Sequence, residues 1–238
     1  MSTSSIRLFV TAPLAQGVPV PGTEAQAHYL ANVMRRSVGE PVRLFNGQDG
    51  EWLAAIATLT RKQITFEPLS QTRPQTPEPD SWLCFALLKR TKTDLVVEKA
   101  TELGVACIQP VITLRTQADH VNLERLRAIA IEAAEQCERL AIPTIMAPLT
   151  LPALMAKWPE NRQLFVADER RTARLLRHTG APSALLVGPE GGFTDAELVS
   201  IDAHPQVTRV SLGAHILRAE TAAIAGLALL LATDPPQE

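Results

Sequence analysis

Two segments near the C-terminal end place glycine, arginine and glutamate where they could receive and act on a charged ligand. They are Leu185-Leu-Val-Gly-Pro-Glu-Gly-Gly-Phe-Thr194 and Ser211-Leu-Gly-Ala-His-Ile-Leu-Arg-Ala-Glu-Thr221. Each is an apolar run that ends in glycine and then enters a helix-forming sequence. In the first, Gly191 and Gly192 let a ligand approach the main chain without side-chain interference. Thr194 followed by Glu197 fits a capping box, so a helix is expected to begin near Asp195. A glycine turn feeding a helix N-terminus favours an anionic group, through free N–H donors and the helix dipole. A phosphate or an amino-acid carboxylate would suit it, but neither G-x-G-x-x-G nor G-K-[ST] is present. By itself the Gly-Gly pair is equally well a tight turn.

The second segment adds side-chain chemistry. Gly213 follows a β-rich run, and Arg218 and Glu220 precede a helix expected over Thr221–Ala232. That helix is apolar on all sides, so it must be buried in the core or against another subunit. Arg218 at its approach would be costly to bury without a partner or an electron-rich ligand. Glu220 in the first turn is favoured by the helix dipole, a purely stabilising role. Histidine is a residue type that can act as a base, yet a lone loop histidine such as His215 is more often structural or solvated. Side by side, the two loops would form a backbone-lined cup with Arg218 and Glu220 at its lip.

The elements that must position this cup read as an alternation. Strands are expected at Trp82–Leu88, Val105–Val111, Thr144–Met146, Leu164–Ala167, Ala184–Val187 and Val207–Leu212. Helices are expected at Thr93–Leu103, stopped by Gly104, at Leu123–Leu140, and over the basic run Glu169–His178. Such alternation indicates an α/β domain with a mostly parallel sheet, whose ligands collect at the carboxyl ends of the strands. Residues 81–238 are assigned to it. Residues 73–80 form a linker, where Pro74, Pro77 and Pro79 favour an extended connector. Residues 1–72 are rich in strands: Arg7–Val10, Val42–Phe45, Trp52–Leu59 and Ile64–Pro68, with Asn46–Gly50 as a hairpin turn. One amphipathic helix, Glu24–Arg36, presents Leu30, Val33 and Met34 to the core. Together these suggest a small β-barrel. Arg35, Arg36, Arg43, Arg61 and Lys62 could line a phosphate-facing surface of it, or be ordinary solvated cations.

The totals bound the class. A chain of 238 residues with 46% hydrophobic and 20% charged residues has an ordinary globular composition. The net charge of -2 excludes a protein coated in positive charge, though nucleic-acid binding needs only a local basic face. Residues 1–73 carry seven Lys and Arg against five Asp and Glu, a small basic excess. Cys84, Cys107 and Cys137 are widely spaced with no C-x-x-C pair, so neither a zinc site nor a disulfide framework is signalled, and buried reduced thiols are expected. The N-terminus lacks a secretion signal, and the longest apolar run, Ala222–Ala232, is short of the ~20 residues that span a membrane. A cytoplasmic protein without membrane or metal partners is the expectation.

The same residues carry a family resemblance. Leu186-Val-Gly-Pro-Glu-Gly-Gly-Phe193, Ser211-Leu-Gly, Ile216-Leu-Arg and Glu220-Thr-Ala222 resemble the 16S rRNA uridine-N3 methyltransferase family of the SPOUT superfamily. So do Glu98-Lys-Ala-Thr-Glu-Leu-Gly104, Glu132-Ala-Ala-Glu-Gln-Cys137 with Arg139, Arg7-Leu-Phe-Val10 and His28-Tyr-Leu-Ala-Asn-Val-Met-Arg35. The resemblance covers almost the whole chain. It implies a trefoil-knotted parallel-sheet methyltransferase domain preceded by a PUA-like RNA-binding barrel, S-adenosylmethionine as methyl donor, 16S rRNA or the small ribosomal subunit as substrate, and a homodimer. The family usually has Pro-Arg where this chain has Ala214-His215, which removes a cation beside the donor pocket.

By that resemblance the adenosyl group is held by Leu186, Gly188, Pro189, Gly191, Gly192, Leu212, Gly213, Ile216, Leu217 and Thr221. Arg218, Glu190 and Glu220 are the candidate catalytic residues: the arginine to favour the uracil anion, a glutamate to accept the N3 proton or to orient the arginine. Arg7, Arg35, Arg36 and Arg115 are the candidate RNA contacts, with the basic run Arg170-Arg171 and Arg174 as further phosphate-holding residues. A rival of another class is an RNA-binding or assembly factor that has kept the fold and lost turnover; a nucleotide-dependent enzyme is a third.

Overall fold

The computed structural model describes residues 6–118, 120–168, 173–177 and 182–232. The chain forms two compact units. The first comprises Met1–Pro77 with Ala134–Ile142, and the second Glu78–Ala133 with Pro143–Glu238. Sequence reading places 134–142 in the second domain; nothing local in that segment reveals which unit it packs with.

In the first unit the strands are β1 (Arg7–Phe9), β2 (Val20–Pro21), β3 (Pro41–Phe45), β4 (Glu51–Leu59) and β5 (Ile64–Arg73), in the sheet order β1-β3-β4-β5-β2. β1 and β3 are parallel and the remaining pairs antiparallel, with β-bulges along the long β4–β5 ladder. Alternating inward residues, among them Leu8, Val42, Leu44, Ile56 and Phe66, make its core.

The single helix expected over Glu24–Arg36 is instead a short α-helix, α1 (Glu24–His28), followed by one wider π turn, Tyr29–Val33. Thr23 and Gln26 close a capping box at its start. The Met34 N–H bonds to Tyr29 O at 2.9 Å, five residues back, and the wider winding breaks the 3.6-residue period. Leu30 is therefore buried, but Val33 and Met34, expected beside it in the core, are exposed.

The second unit holds β6 (Ser81–Ala86), α2 (Arg90–Glu102), β7 (Cys107–Ile112), α3 (Leu123–Gln136, whose last three residues belong to the first unit), β8 (Thr144–Ile145), β9 (Leu149–Thr150), α4 (Leu151–Ala156), β10 (Gln163–Ala167), β11 (Arg174–Leu175), β12 (Ser183–Val187), α5 (Asp195–Asp202), β13 (Val207–Ser211) and α6 (Ala219–Leu231). Its described strands run β11-β13-β10-β12-β6-β7-β8, with β9 also on β7, and every pairing is parallel. The expected α/β alternation is present.

The basic helix expected over Glu169–His178 is overturned where it can be seen. Arg174 and Leu175 pair with Val210 and Ser211 as an edge strand, because the open side of β13 offers ladder partners that outweigh local helix preference. The remainder of that run, Glu169–Thr172 and His178, lies outside the described residues. α6 begins two residues before its expected start and buries Ala219, Ala222, Ala223, Gly226, Leu227 and Leu230. Its other side, with Thr221 and Ala228 exposed, is not covered by the described residues. Cys84 and Cys107 are buried, but Cys137, just past the end of α3, is exposed.

Candidate active site

Because the second sheet is parallel, the loops after β6, β7, β10, β12 and β13 leave it at one edge, the edge at which α/β sheets bind ligands. A cavity of about 310 Å3 opens there, within the size range of small-molecule sites.

One wall is the loop Gly188–Phe193. Gly192 adopts φ +69°, and its N–H donates to Pro189 O at 2.8 Å, closing a tight turn. The expected capping box follows: Thr194 Oγ1 accepts the Glu197 N–H at 3.3 Å, and Glu197 Oε2 accepts the Thr194 N–H at 2.8 Å. Glu197 is buried, and its second oxygen accepts the Leu114 N–H at 2.8 Å. Arg115 Nη1 donates to Gly191 O at 2.6 Å. The loop after β7 thus braces the glycine loop at Gly191 and the start of the following helix at Glu197.

The other wall runs from Leu212 to Arg218. Gly213 sits at φ +134°, where only glycine is unstrained, and the Ser211 hydroxyl bonds both its N–H and its carbonyl at 3.2 Å. Arg218 is the N-cap residue of α6 and is exposed. Among the described residues its guanidinium makes no hydrogen bond, so its charge is available to a ligand. Val187, Phe193, Leu198 and Leu217 give the cavity apolar surface, and Asp168 and Arg209, 3.4 Å apart, close another side. Two bonds to Asp202 raise the Arg209 pKa further above its ordinary value and hold that side chain in place.

Of the residues singled out from sequence, Gly188, Pro189, Gly192, Leu212, Gly213, Ile216 and Leu217 line this cavity, together with Glu190 and Arg218. Leu186 is buried within β12, and Thr221 is exposed on α6. Gly191 lies against the Arg115 side chain, where an added Cβ would meet Cδ at 3.4 Å. Glu220 stands behind the wall. Its Oε1 is 3.3 Å from Lys92 Nζ, while Oε2 is buried without a partner among the described residues.

Lys92 is the residue that sequence reading missed. Its Nζ donates to Glu190 Oε1 at 2.5 Å. That bond, opposed by some burial and reinforced by Glu220, raises its pKa, so it is an ammonium throughout the neutral range. Burial alone would raise the Glu220 carboxyl, but its own backbone N–H, the Lys92 bond and the fields of Lys92 and Arg218 together lower it. The available signal was a lysine in the first turn of a helix directly after a strand, where the dipole disfavours a cation.

The candidate RNA contacts separate. Arg7 is corrected: it is buried, not presented to a phosphate. Its Nε donates to Glu51 Oε2 at 2.7 Å, and its other nitrogens donate to the carbonyls of Ala134, Glu135 and Arg139 at 2.8–3.1 Å. The guanidinium also lies 4.4 Å from the Phe45 ring centre. Its donors are consumed inside the first unit. Arg35 is exposed at φ +51°, and Arg36 pairs with Glu40 at 3.1 Å. Arg43 pairs with buried Glu51 at 2.7 Å. Arg115 is exposed apart from its bond to Gly191, and Arg174 is exposed on β11.

Comparison with known proteins also separates two domains, but keeps 134–142 with the second. A family described as an RNA methyltransferase domain matches residues 75–231, and one described as an RNA methyltransferase PUA domain matches residues 23–69. The chain is 35% identical over 228 residues to the ribosomal RNA small subunit methyltransferase E of Rickettsia conorii, covering 93% of each. With the Synechocystis protein of the same name it shares 34% over 215 residues, 87% of this chain and 70% of that one. The crystal structure of the Neisseria gonorrhoeae protein of that name, bound to S-adenosyl methionine, matches with a TM-score of 0.85 at 28% identity, covering 94% of this chain and 95% of that one.

Proposed function

We infer that this chain, which belongs to the RNA methyltransferase family, is an S-adenosylmethionine-dependent ribosomal RNA methyltransferase acting on N3 of a uridine in the 16S rRNA of the small subunit. The observation that carries the reading is the cavity itself: two glycine loops wall it, and an arginine with no hydrogen-bond partner among the described residues stands at its edge.

The residues present fit the donor. Val187, Phe193, Leu198 and Leu217 offer apolar surface for an adenine ring, and the irregular turns at Gly188–Gly192 and Leu212–Leu217 leave peptide groups outside the sheet ladder to bond its edge. The carboxylates of Glu190 and Asp168 on the wall suit a ligand with cationic groups. When bound, S-adenosylmethionine supplies an electrophilic methyl group on a positively charged sulfur.

The chain's own residues then meet the needs of the acceptor. Holding the reacting atoms together can account for about 7–11 kcal/mol of a barrier. Uracil N3 carries an imide proton that must leave as the nitrogen becomes nucleophilic. In this reading Glu190, which lines the cavity, receives it, and Glu220, which does not, takes a supporting part. As the proton leaves, negative charge spreads to O2 and O4. The Arg218 guanidinium favours that charge, an effect on the order of 2.7–4 kcal/mol for a well-placed donor.

The side of α6 that the described residues leave partly exposed, with Ile224, Ala225, Ala228 and Leu231 along it, supports a homodimer, and a cytoplasmic location belongs to the same reading. The trefoil knot rests on the family resemblance. Arg35 and Arg36 are offered as RNA contacts of the PUA-like unit and Arg115 as one beside the cavity.

Calorimetric titration of the purified protein with S-adenosylmethionine and, separately, with ATP tests the ligand assignment. Binding of the former alone is expected. Tight ATP binding with no methyl-donor binding would return the Gly188–Gly192 loop to the class of phosphate sites.

A further inference from the structure

The two walls of the cavity are joined by a residue from a third segment. Lys92 lies in the first turn of α2, after β6, and its Nζ is 2.5 Å from Glu190 Oε1 and 3.3 Å from Glu220 Oε1. Glu190 belongs to the glycine loop after β12, and Glu220 to the first turn of α6, directly after the Leu212–Arg218 loop. Glu190 lines the cavity and Glu220 does not, so Lys92 ties a carboxylate on the cavity wall to one set off it.

Helix stability does not explain this arrangement. A cation in a first turn opposes the helix dipole, and α2 has neither an acidic residue there nor a side-chain N-cap. Charge balance points the same way. One ammonium faces two carboxylates, and Glu220 Oε2 is buried with no partner among the described residues. Without Lys92 the two carboxylates would face each other across the gap and repel, and Glu190, on a glycine-rich loop, is the one free to swing away.

We propose that Lys92 is a positioning residue: by holding Glu190 against Glu220 it fixes the Glu190 carboxylate at the cavity wall, where the substrate's N3 proton must be received. This rests on the reading of the cavity as the methyl-transfer site. Lys92 is not itself the base, because Glu190 and Glu220 keep it protonated.

The test uses full-length Lys92→Met, Lys92→Arg, Glu190→Gln and the Lys92→Met/Glu190→Gln double variant. Donor dissociation constants are read by calorimetry, and kcat and KM on small ribosomal subunits by methyl transfer. Lys92→Met is expected to lower kcat by roughly 10–100-fold, the scale of a misplaced group, while donor affinity changes by less than about threefold. Lys92→Arg should recover most of kcat. In the Glu190→Gln background Lys92→Met should add less than about threefold, since two groups acting as one unit are not additive. An equal loss with and without Glu190, or a rise in the KM for RNA with kcat intact, would overturn the proposal, the latter marking Lys92 as a phosphate contact. If the unmutated protein neither binds donor nor transfers methyl, the functional reading fails instead. If it does both and Lys92→Met matches it, only the positioning role falls.

Discussion

The Glu197 carboxylate accepts the backbone N–H of Leu114 at 2.8 Å while its other oxygen closes the capping box with Thr194. One buried side chain thus starts α5 and ties the loop after β7 to the glycine loop of the cavity. Replacing it with alanine removes both anchors and leaves the Leu114 and Thr194 N–H groups unpaired. A stability loss of about 1–3 kcal/mol is expected, with weakened donor binding. Thermal unfolding and calorimetry on Glu197→Ala check both. Unchanged donor affinity would show that the brace does not shape the cavity.

Arg218 offers a different separation. It is exposed and caps α6 through its backbone alone, so Arg218→Ala should leave stability within about 0.5 kcal/mol of the parent. The expected loss is in turnover, roughly 10²–10³ in kcat, with donor affinity little changed. Unchanged turnover would remove the guanidinium from the chemistry.

Gly213 tests the backbone. A Cβ there would meet nothing within 4 Å, so any penalty for Gly213→Ala comes from its φ of +134° and not from crowding. About 1–3 kcal/mol of strain is expected, relieved by a shift of the Leu212–Arg218 wall. Donor affinity should fall even though no side-chain contact is removed. Full retention of affinity would mean that this wall does not hold the donor.

Arg7 and Glu51 make the first unit sensitive to acid. Burial tends to raise the Glu51 carboxyl, but bonds from Arg7, Arg43 and Thr72 outweigh it and hold its pKa below the ordinary 4.5. A carboxylate depressed by folding adds stability that is fully present above its unfolded pKa and lost as pH falls through the folded one. Unfolding free energy should therefore drop below about pH 4.5 in the parent and drop less steeply in Glu51→Gln. At neutral pH that variant should cost about 3–5 kcal/mol by taking the carboxylate from the buried Arg7 guanidinium, and Arg7→Met less, because Arg43 still pairs with Glu51. Denaturant titrations across pH read the difference, and a near-zero cost would restore Arg7 to the surface.

What the sequence discloses and what it hides follow from the range of the interactions. The glycine turns, the Thr194–Glu197 capping box and the alternation of strands with helices are local, and each can be read within a few residues. The partners of Arg7 lie as far as Arg139 and those of Lys92 as far as Glu220, so no spacing rule reveals them. The π turn at Tyr29–Val33 and the edge strand at Arg174–Leu175 depend on packing and on an available neighbour strand, which override local preference. The packing of Ala134–Ile142 in the first unit is hidden for the same reason.

The most direct test of the central claim is transfer of labelled methyl from S-adenosylmethionine to small ribosomal subunits taken from cells lacking this protein. The RNA is then digested and its nucleosides identified. Recovery of labelled 3-methyluridine is predicted. No transfer to subunits or to naked 16S rRNA, from protein shown to bind the donor, would contradict the assigned substrate. Label recovered on the ribose would contradict the assigned atom.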